Sequence, residues 1–103
     1  MKILSDFLEF DWDKGNVEKN QRKHNVTVKE TEEVFVNDPK FVFEDQKHSE
    51  TEERYGLFGH TDRDRKLAIV FTVRKEKIRV VTVRDMSRKE RRSHEKIKND
   101  SKI

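Results

Sequence analysis

Hydrophobic and polar positions divide the chain into short elements. Phe7-Leu8-Glu9-Phe10-Asp11-Trp12 alternates loosely and predicts a first strand. Asp13 is placed to cap a helix running from Lys14 to Asn25. Its apolar content is thin: Val17, Asn20 and His24 recur at helical spacing and form the face directed at a sheet, with Trp12 as a nearby anchor. Asn25 tolerates the left-handed backbone that ends a helix. Thr27-Val28-Lys29-Glu30 is a capping box. It opens a second helix, Val28 to Val36, with Val28, Thr31 and Phe35 inward and Asn37-Asp38-Pro39 as its stop.

Strands follow. Phe41-Val42-Phe43-Glu44 is short, and a charged loop runs from Asp45 to Glu52. Arg54 to Thr61 alternates as a strand, and Asp62-Arg63-Asp64-Arg65 is a turn. Lys66 to Arg74 places Leu67, Ile69, Phe71 and Val73 on one face. After a tight turn at Lys75-Glu76, Lys77 to Arg84 forms the last strand. Ile78, Val80 and Thr82 face one way there, and Arg79, Val81 and Val83 the other. Ser87-Arg88-Lys89-Glu90 is a second capping box, opening a helix that is polar almost all round, with only Met86 and Ile97 as apolar anchors. Such a helix is solvated, bound to something, or not stable alone. The order of elements predicts an α+β fold: an antiparallel sheet built from the first strand, two helices, then a meander, with a polar C-terminal helix. The 103 residues fit a single domain, 1–103, with residues 7–86 as folded core and 87–103 as a basic C-terminal helix and tail.

Composition sharpens the question of what the surface is for. The chain is 31% hydrophobic and 44% charged, where ordinary domains are roughly 45–50% apolar (glycine included) and about 25% charged. Residues 1–83 carry 16 Lys and Arg against 17 Asp and Glu, and residues 84–103 carry 8 against 4. The excess positive charge is therefore C-terminal. It reads either as a site for a polyanion or acidic partner, or as a solvated tail. No stretch is apolar enough to span a bilayer, so no membrane role is expected. The absence of cysteine and of a secretory signal fits a reducing cytoplasm, which leaves the Asn25-Val26-Thr27 glycosylation pattern as coincidence.

Several chemistries lack their residues. His24, His48, His60 and His94 have no zinc-ligand spacing, and His94 reads as a surface partner of Glu90. With three glycines there is no phosphate loop, and no serine elbow is present. RNA cleavage needs less. The substrate's own 2′-hydroxyl can attack, so the protein must align it, help remove a proton and neutralise charge on the phosphate. Arginine suits the last task. Arg79 and Arg84 lie on the last strand, and Arg88, Arg91 and Arg92 follow. Arg79, flanked by apolar residues, is costly without a partner. The alternative for such a charge is protection of a sheet edge. His24 is open between a packed histidine and a catalytic one, and Lys23 lies one position round, toward solvent. Glu53-Arg54 is either a base beside an orienting cation or an ordinary ion pair.

Taken in order, these residues resemble a known family. Phe10-Asp11-Trp12-Asp13, Asn20 with Lys23-His24-Asn25-Val26, Val34-Phe35 with Asp38-Pro39, His48-Ser49 with Glu52-Glu53-Arg54, Gly59, Ile78 to Arg84, and Glu90-Arg91 look like the BrnT toxins. The likeness runs from Phe10 to Glu95 and departs at Asn25, where glycine is usual, and at Lys47, Val83 and His94. It implies a ribonuclease toxin of a type II toxin–antitoxin system with a RelE/ParE-like microbial ribonuclease fold and no metal or organic cofactor. It also implies a BrnA-like ribbon-helix-helix antitoxin, through which the complex reaches operator DNA.

On the first functional reading the chain is a metal-independent endoribonuclease that arrests growth. Arg79 and Arg84 would bind phosphate, Lys23 or His24 with Glu53 would move protons, and Arg54, Arg88, Arg91 and Arg92 would hold the RNA. The second reading is a catalytically inactive module that binds only antitoxin or nucleic acid. The third is a toxin directed at DNA or a translation factor on the same fold.

Overall fold

The structure, a computed structural model, describes residues 9–45 and 52–100, with side chains as far as Lys96. Helix α1 spans Lys14–His24 and α2 Val28–Val36. Strands β1 (Phe41–Glu44), β2 (Tyr55–His60), β3 (Lys66–Arg74) and β4 (Lys77–Asp85) form an antiparallel sheet in the order β1-β2-β3-β4, and α3 spans Arg88–Asp100. This is the expected α+β arrangement. The loop residues 46–51, with Lys47-His48-Ser49, the start of the predicted first strand at Phe7-Leu8, and the Ile97 side chain lie outside the described residues.

The helix ends follow their local chemistry. Asp13 accepts from the Asn16 amide at 3.2 Å, and Asn25 closes α1 in the left-handed region at φ 52°. In α2 the Thr27 side chain takes the Glu30 amide while Glu30 reaches back to the Thr27 amide, a complete capping box. Thr31, Val34 and Phe35 are the buried residues of α2, and Val28 is only half-buried.

Three expectations need correction. The first strand reduces, among the described residues, to one parallel bridge between Phe10 and Ile78, because Asp13 begins α1 three residues later. Val83 belongs to the core, not to the face of Arg79. Phe71 pairs with Val80 and Val70 with Thr82, so Val81 is an extra residue in β4, and this bulge flips the alternation beyond it. Val73 lies at the open end of β3 and is 38% exposed, although Leu67, Ile69 and Phe71 on the same face are buried.

Those residues join Val26, Val34, Phe35, Leu57, Ile78, Val80 and Val83 in one core. A chain of ring contacts crosses it from Trp12 through Phe10, Phe35 and Phe71 to Tyr55, with centroids 5.2–5.7 Å apart. Trp12 keeps its indole N–H satisfied by donating to Glu32 Oε2 at 2.9 Å.

The thin apolar face of α1 is explained by how the helix docks. It lies along the outer edge of β4 and hydrogen-bonds to the backbone there. Asn16 Nδ2 donates to Val80 O, Lys19 Nζ donates to Val81 O at the bulge, and Val83 N donates to Asn20 Oδ1. Residues 9–11 cover the start of the same edge: Ile78 N donates to Glu9 O and Asp11 N to Ile78 O, both at 2.8 Å.

Where α2 crosses β2 the approach is close. A Cβ on Gly59 would lie 2.7 Å from Val34 Cγ1, and Val34 is fully buried. Gly59→Ala should therefore push α2 off the sheet at a cost of about 1–3 kcal/mol, a fall in Tm of roughly 5–20 °C. Thermal unfolding by circular dichroism checks this, and an unchanged Tm would refute the close-packing account.

Candidate nucleic-acid interface

The charged side chains gather at the two ends of the sheet. At one end β2 begins, β3 finishes and β4 starts. There Arg79 donates to Asp13 Oδ2 at 2.5 Å and to Asp11 Oδ2 at 3.4 Å. Arg74 grips Glu52 with two hydrogen bonds of 3.0 and 3.1 Å, and Arg54 Nη2 stands 3.9 Å from the same carboxylate. Exposed Glu53 accepts from the Tyr55 hydroxyl at 2.8 Å, which raises the Tyr55 pKa, and its carbonyl accepts from Thr72, the cross-strand neighbour of Arg79. The Asn16 amide holds Asp13 below the usual carboxylate range, with Arg79 adding to it. The Arg74 hydrogen bonds do the same for Glu52. Glu53, Arg54 and Arg79 are thus brought together, but among carboxylates that match their charge.

At the other end lie the finish of β4, the finish of α1, the β2–β3 turn and the start of α3. Arg65 organises it. Its Nε and Nη2 donate to Asp85 at 2.7 and 3.0 Å, Nη1 to Asn25 O at 2.9 Å and Glu30 Oε2 at 3.1 Å, and Nη2 also to His24 O at 2.9 Å. All five guanidinium N–H groups are used. The hydrogen bonds from Arg65 pull the Asp85 carboxyl below its ordinary value, and His24 and Arg91 add attraction. Burial alone would raise Glu30, but the Thr27 amide and Arg65 outweigh it.

Next to this clamp, Arg84 holds Glu90 through hydrogen bonds of 2.6 and 2.8 Å, and Ser87 and Glu90 close the capping box of α3. The Arg84 fork, assisted by the Ser87 amide, draws the Glu90 pKa down to about 2. Beyond lies a groove of about 850 Å³ lined by Asp64, Lys66, Arg88, Arg91, Arg92, His94, Glu95 and Lys96: five Lys and Arg against two carboxylates. Lys66 is paired with Asp64. Arg88, Arg91 and Arg92 are exposed, as is Lys23 in the last turn of α1, while His24 is half-buried. His94 is corrected from a surface partner of Glu90 to a buried residue, 3% exposed, and the Glu90 carboxylate is held by Arg84 and Ser87.

The candidate residues therefore divide. Lys23, His24, Arg84, Arg88, Arg91 and Arg92 share one end with Arg65. Glu53, Arg54 and Arg79 share the other. Arg79 and Arg84 are five residues apart on β4, about 15 Å by strand rise. Sequence reading missed Arg65, Asp85 and Lys66. Arg65 looks like turn polarity, and its partners stand 20 to 41 residues away. No group of three or more His, Cys, Asp or Glu among the described residues could hold a metal ion. No described helix is long and apolar enough to cross a membrane.

A family model described as the ribonuclease toxin BrnT of a type II toxin–antitoxin system matches residues 12–90. The chain belongs to the BrnT toxin family. Comparison with individually curated proteins returns no match. A BrnT toxin has RNA as its substrate class and a protein antitoxin as its partner. The matched region takes in α1, the Arg65 clamp and β4, and ends at Glu90, so most of the groove helix lies beyond it.

The lowered carboxylates fix a pH dependence. Glu30, Asp85 and Glu90 have folded pKa values below their unfolded ones, so their contribution to stability is present above about pH 4.5 and is lost as pH falls through the folded values, for Glu90 through about 2. Thermal melts across that window should show Tm falling with pH. Glu90→Gln should lose about 1 kcal/mol at neutral pH and flatten the acid slope. A variant that melts like the wild type at both pH values would refute the role given to Arg84 and Glu90.

Proposed function

We propose that this BrnT chain is a metal-independent cytoplasmic endoribonuclease whose α3 groove holds the RNA backbone beside the end of α1. The observation that carries this reading is the groove itself, where Lys66, Arg88, Arg91, Arg92 and Lys96 outnumber Asp64 and Glu95. The opposite end offers Arg79 only in competition with Asp11 and Asp13.

The chemistry follows from RNA. Lys23 or His24 takes the proton from a 2′-hydroxyl, the 2′-oxygen attacks phosphorus to form a 2′,3′-cyclic phosphate, and the bond from phosphorus to the 5′-oxygen breaks, the 5′-oxygen taking a proton from water. Arg88, Arg91 and Arg92 neutralise the phosphate oxygens while Arg84 braces the helix that carries them. The nucleophile comes from the substrate, so no metal is needed to generate one. In this reading Arg79 ties residues 11 and 13 to β4, and Glu53 and Arg54 lie outside the reacting centre. A BrnA-like ribbon-helix-helix antitoxin is the proposed partner, linking the toxin to operator DNA.

The test is to incubate the purified, antitoxin-free chain with RNA in EDTA. Cleavage is expected, with His24→Ala or Lys23→Ala lowering the rate by about 10²–10⁴. Arg91→Ala and Arg92→Ala should each weaken RNA binding and reduce the slope of log affinity on log salt by about 0.7. Folded Arg79→Ala should still cleave. Absence of cleavage by the wild type would leave a binding module instead, and loss of cleavage in a folded Arg79→Ala would move the centre to the other end of the sheet.

A further inference from the structure

We propose that Arg65 is a positioning residue for the cleavage chemistry, setting Lys23 and His24 against the cationic groove; this rests on the ribonuclease reading above. Lys23 and His24 occupy the last turn of α1, where backbone carbonyls have no partner within the helix. Arg65 supplies a partner to one of them, His24 O, and to the carbonyl of the cap residue Asn25, both at 2.9 Å. The same guanidinium holds Asp85, the residue after Arg84, and Glu30 in the first turn of α2. In sequence it stands between Asp64 and Lys66, two residues of the groove wall. One planar group therefore fixes the end of α1, the exit of β4 and one wall of the groove relative to each other. Its five donors are all engaged, so it acts through these neighbours and has none left for a phosphate.

Arginine is required for this because its donors are held in a rigid plane. An ammonium keeps the charge but presents a point donor on a flexible stem, and it cannot satisfy Asp85, Glu30 and two carbonyls together. Losing that geometry lets the Lys23–His24 turn drift while Arg88, Arg91 and Arg92 stay in place. The rate at saturating RNA should then fall while affinity holds.

The experiment compares wild type, Arg65→Lys and Asp85→Asn, each shown to be folded at the assay temperature by circular dichroism. The probe is a fluorescein-labelled single-stranded RNA of mixed sequence. Single-turnover cleavage at saturating protein gives the rate, and fluorescence anisotropy gives Kd. Arg65→Lys is expected to lose on the order of 10- to 100-fold in rate with Kd within about twofold of wild type. Asp85→Asn, which removes one partner and leaves the arginine, should lose less in rate and show faster amide exchange in residues 20–25. Should Arg65→Lys not fold, Asp85→Asn decides. Folded variants that cleave at the wild-type rate, or a loss that falls entirely in Kd, overturn the positioning role and leave the ribonuclease reading intact. An inactive wild type overturns both.

Discussion

The open edge of β4 is the constraint around which the molecule is arranged. An edge strand presents unpaired backbone groups that invite association with other chains. Here that edge is closed from within by two devices in succession, the short parallel contact of residues 9–11 and then the polar face of α1. Asn16, Lys19 and Asn20 fall at helical spacing, so one face of α1 meets consecutive backbone groups of the strand. The bulge at Val81 belongs to the same arrangement, since its carbonyl accepts from Lys19. It also rotates Val83 into the core and leaves Arg84 pointing the other way, toward Glu90 of α3. A helix with so little apolar surface stays on the sheet because its partners are backbone groups that would otherwise lack one.

Charge is distributed by the same geometry. Near the start of β4, Asp11 and Asp13 arrive with the covering segment and meet Arg79, which makes the costly cation among apolar residues a fastening for the edge cover. Near the finish of β4, Asp85 and Glu30 are absorbed by Arg65 and Glu90 by Arg84. The acidic groups there are spent on structure. The cations of α3 are left facing the groove, where positive charge exceeds negative. A net charge of only +3 over the whole chain thus produces a local cationic surface through the way its carboxylates are committed.

How much of this could be read from the sequence depends on the range of each interaction. Thr27 with Glu30, Ser87 with Glu90, and Asn25 were legible because their partners lie within four residues or in the residue's own backbone preference. The strands were legible by alternation until the bulge, which leaves no local mark in Val80-Val81-Thr82-Val83. Asn16, Lys19 and Asn20 look like solvent-facing polarity unless an exposed backbone edge is already known to lie beneath them. Arg65 is the extreme case: a turn residue by composition and a clamp only once α1, α2 and β4 have converged on it. For the candidate site, the sequence reading joins Arg79 and Arg84 in one phosphate role, whereas the structure sets them near opposite ends of β4. The commitment of Arg79 to two aspartates was not legible either, because Asp11 and Asp13 lie 68 and 66 residues away.

The final helix is the remaining conflict between sequence and stability, and it bears on function. Arg88 stands three and four residues from Arg91 and Arg92, and Arg92 four from Lys96, so like charges are neighbours on one helical surface. Each such pair opposes the helix by a few tenths of a kcal/mol. Glu90 does not relieve them, because its carboxylate is held by Arg84 and the Ser87 amide. The helix keeps its cap and its strut to β4, and Glu95, three and four residues from Arg92 and Arg91, offsets only part of the repulsion along the groove. On the proposed reading, a phosphate backbone lying there would offset the excess positive charge, so that binding and helix stability reinforce each other. On the ribonuclease reading proposed above, the polarity that makes α3 a poor helix in isolation is what suits it to RNA.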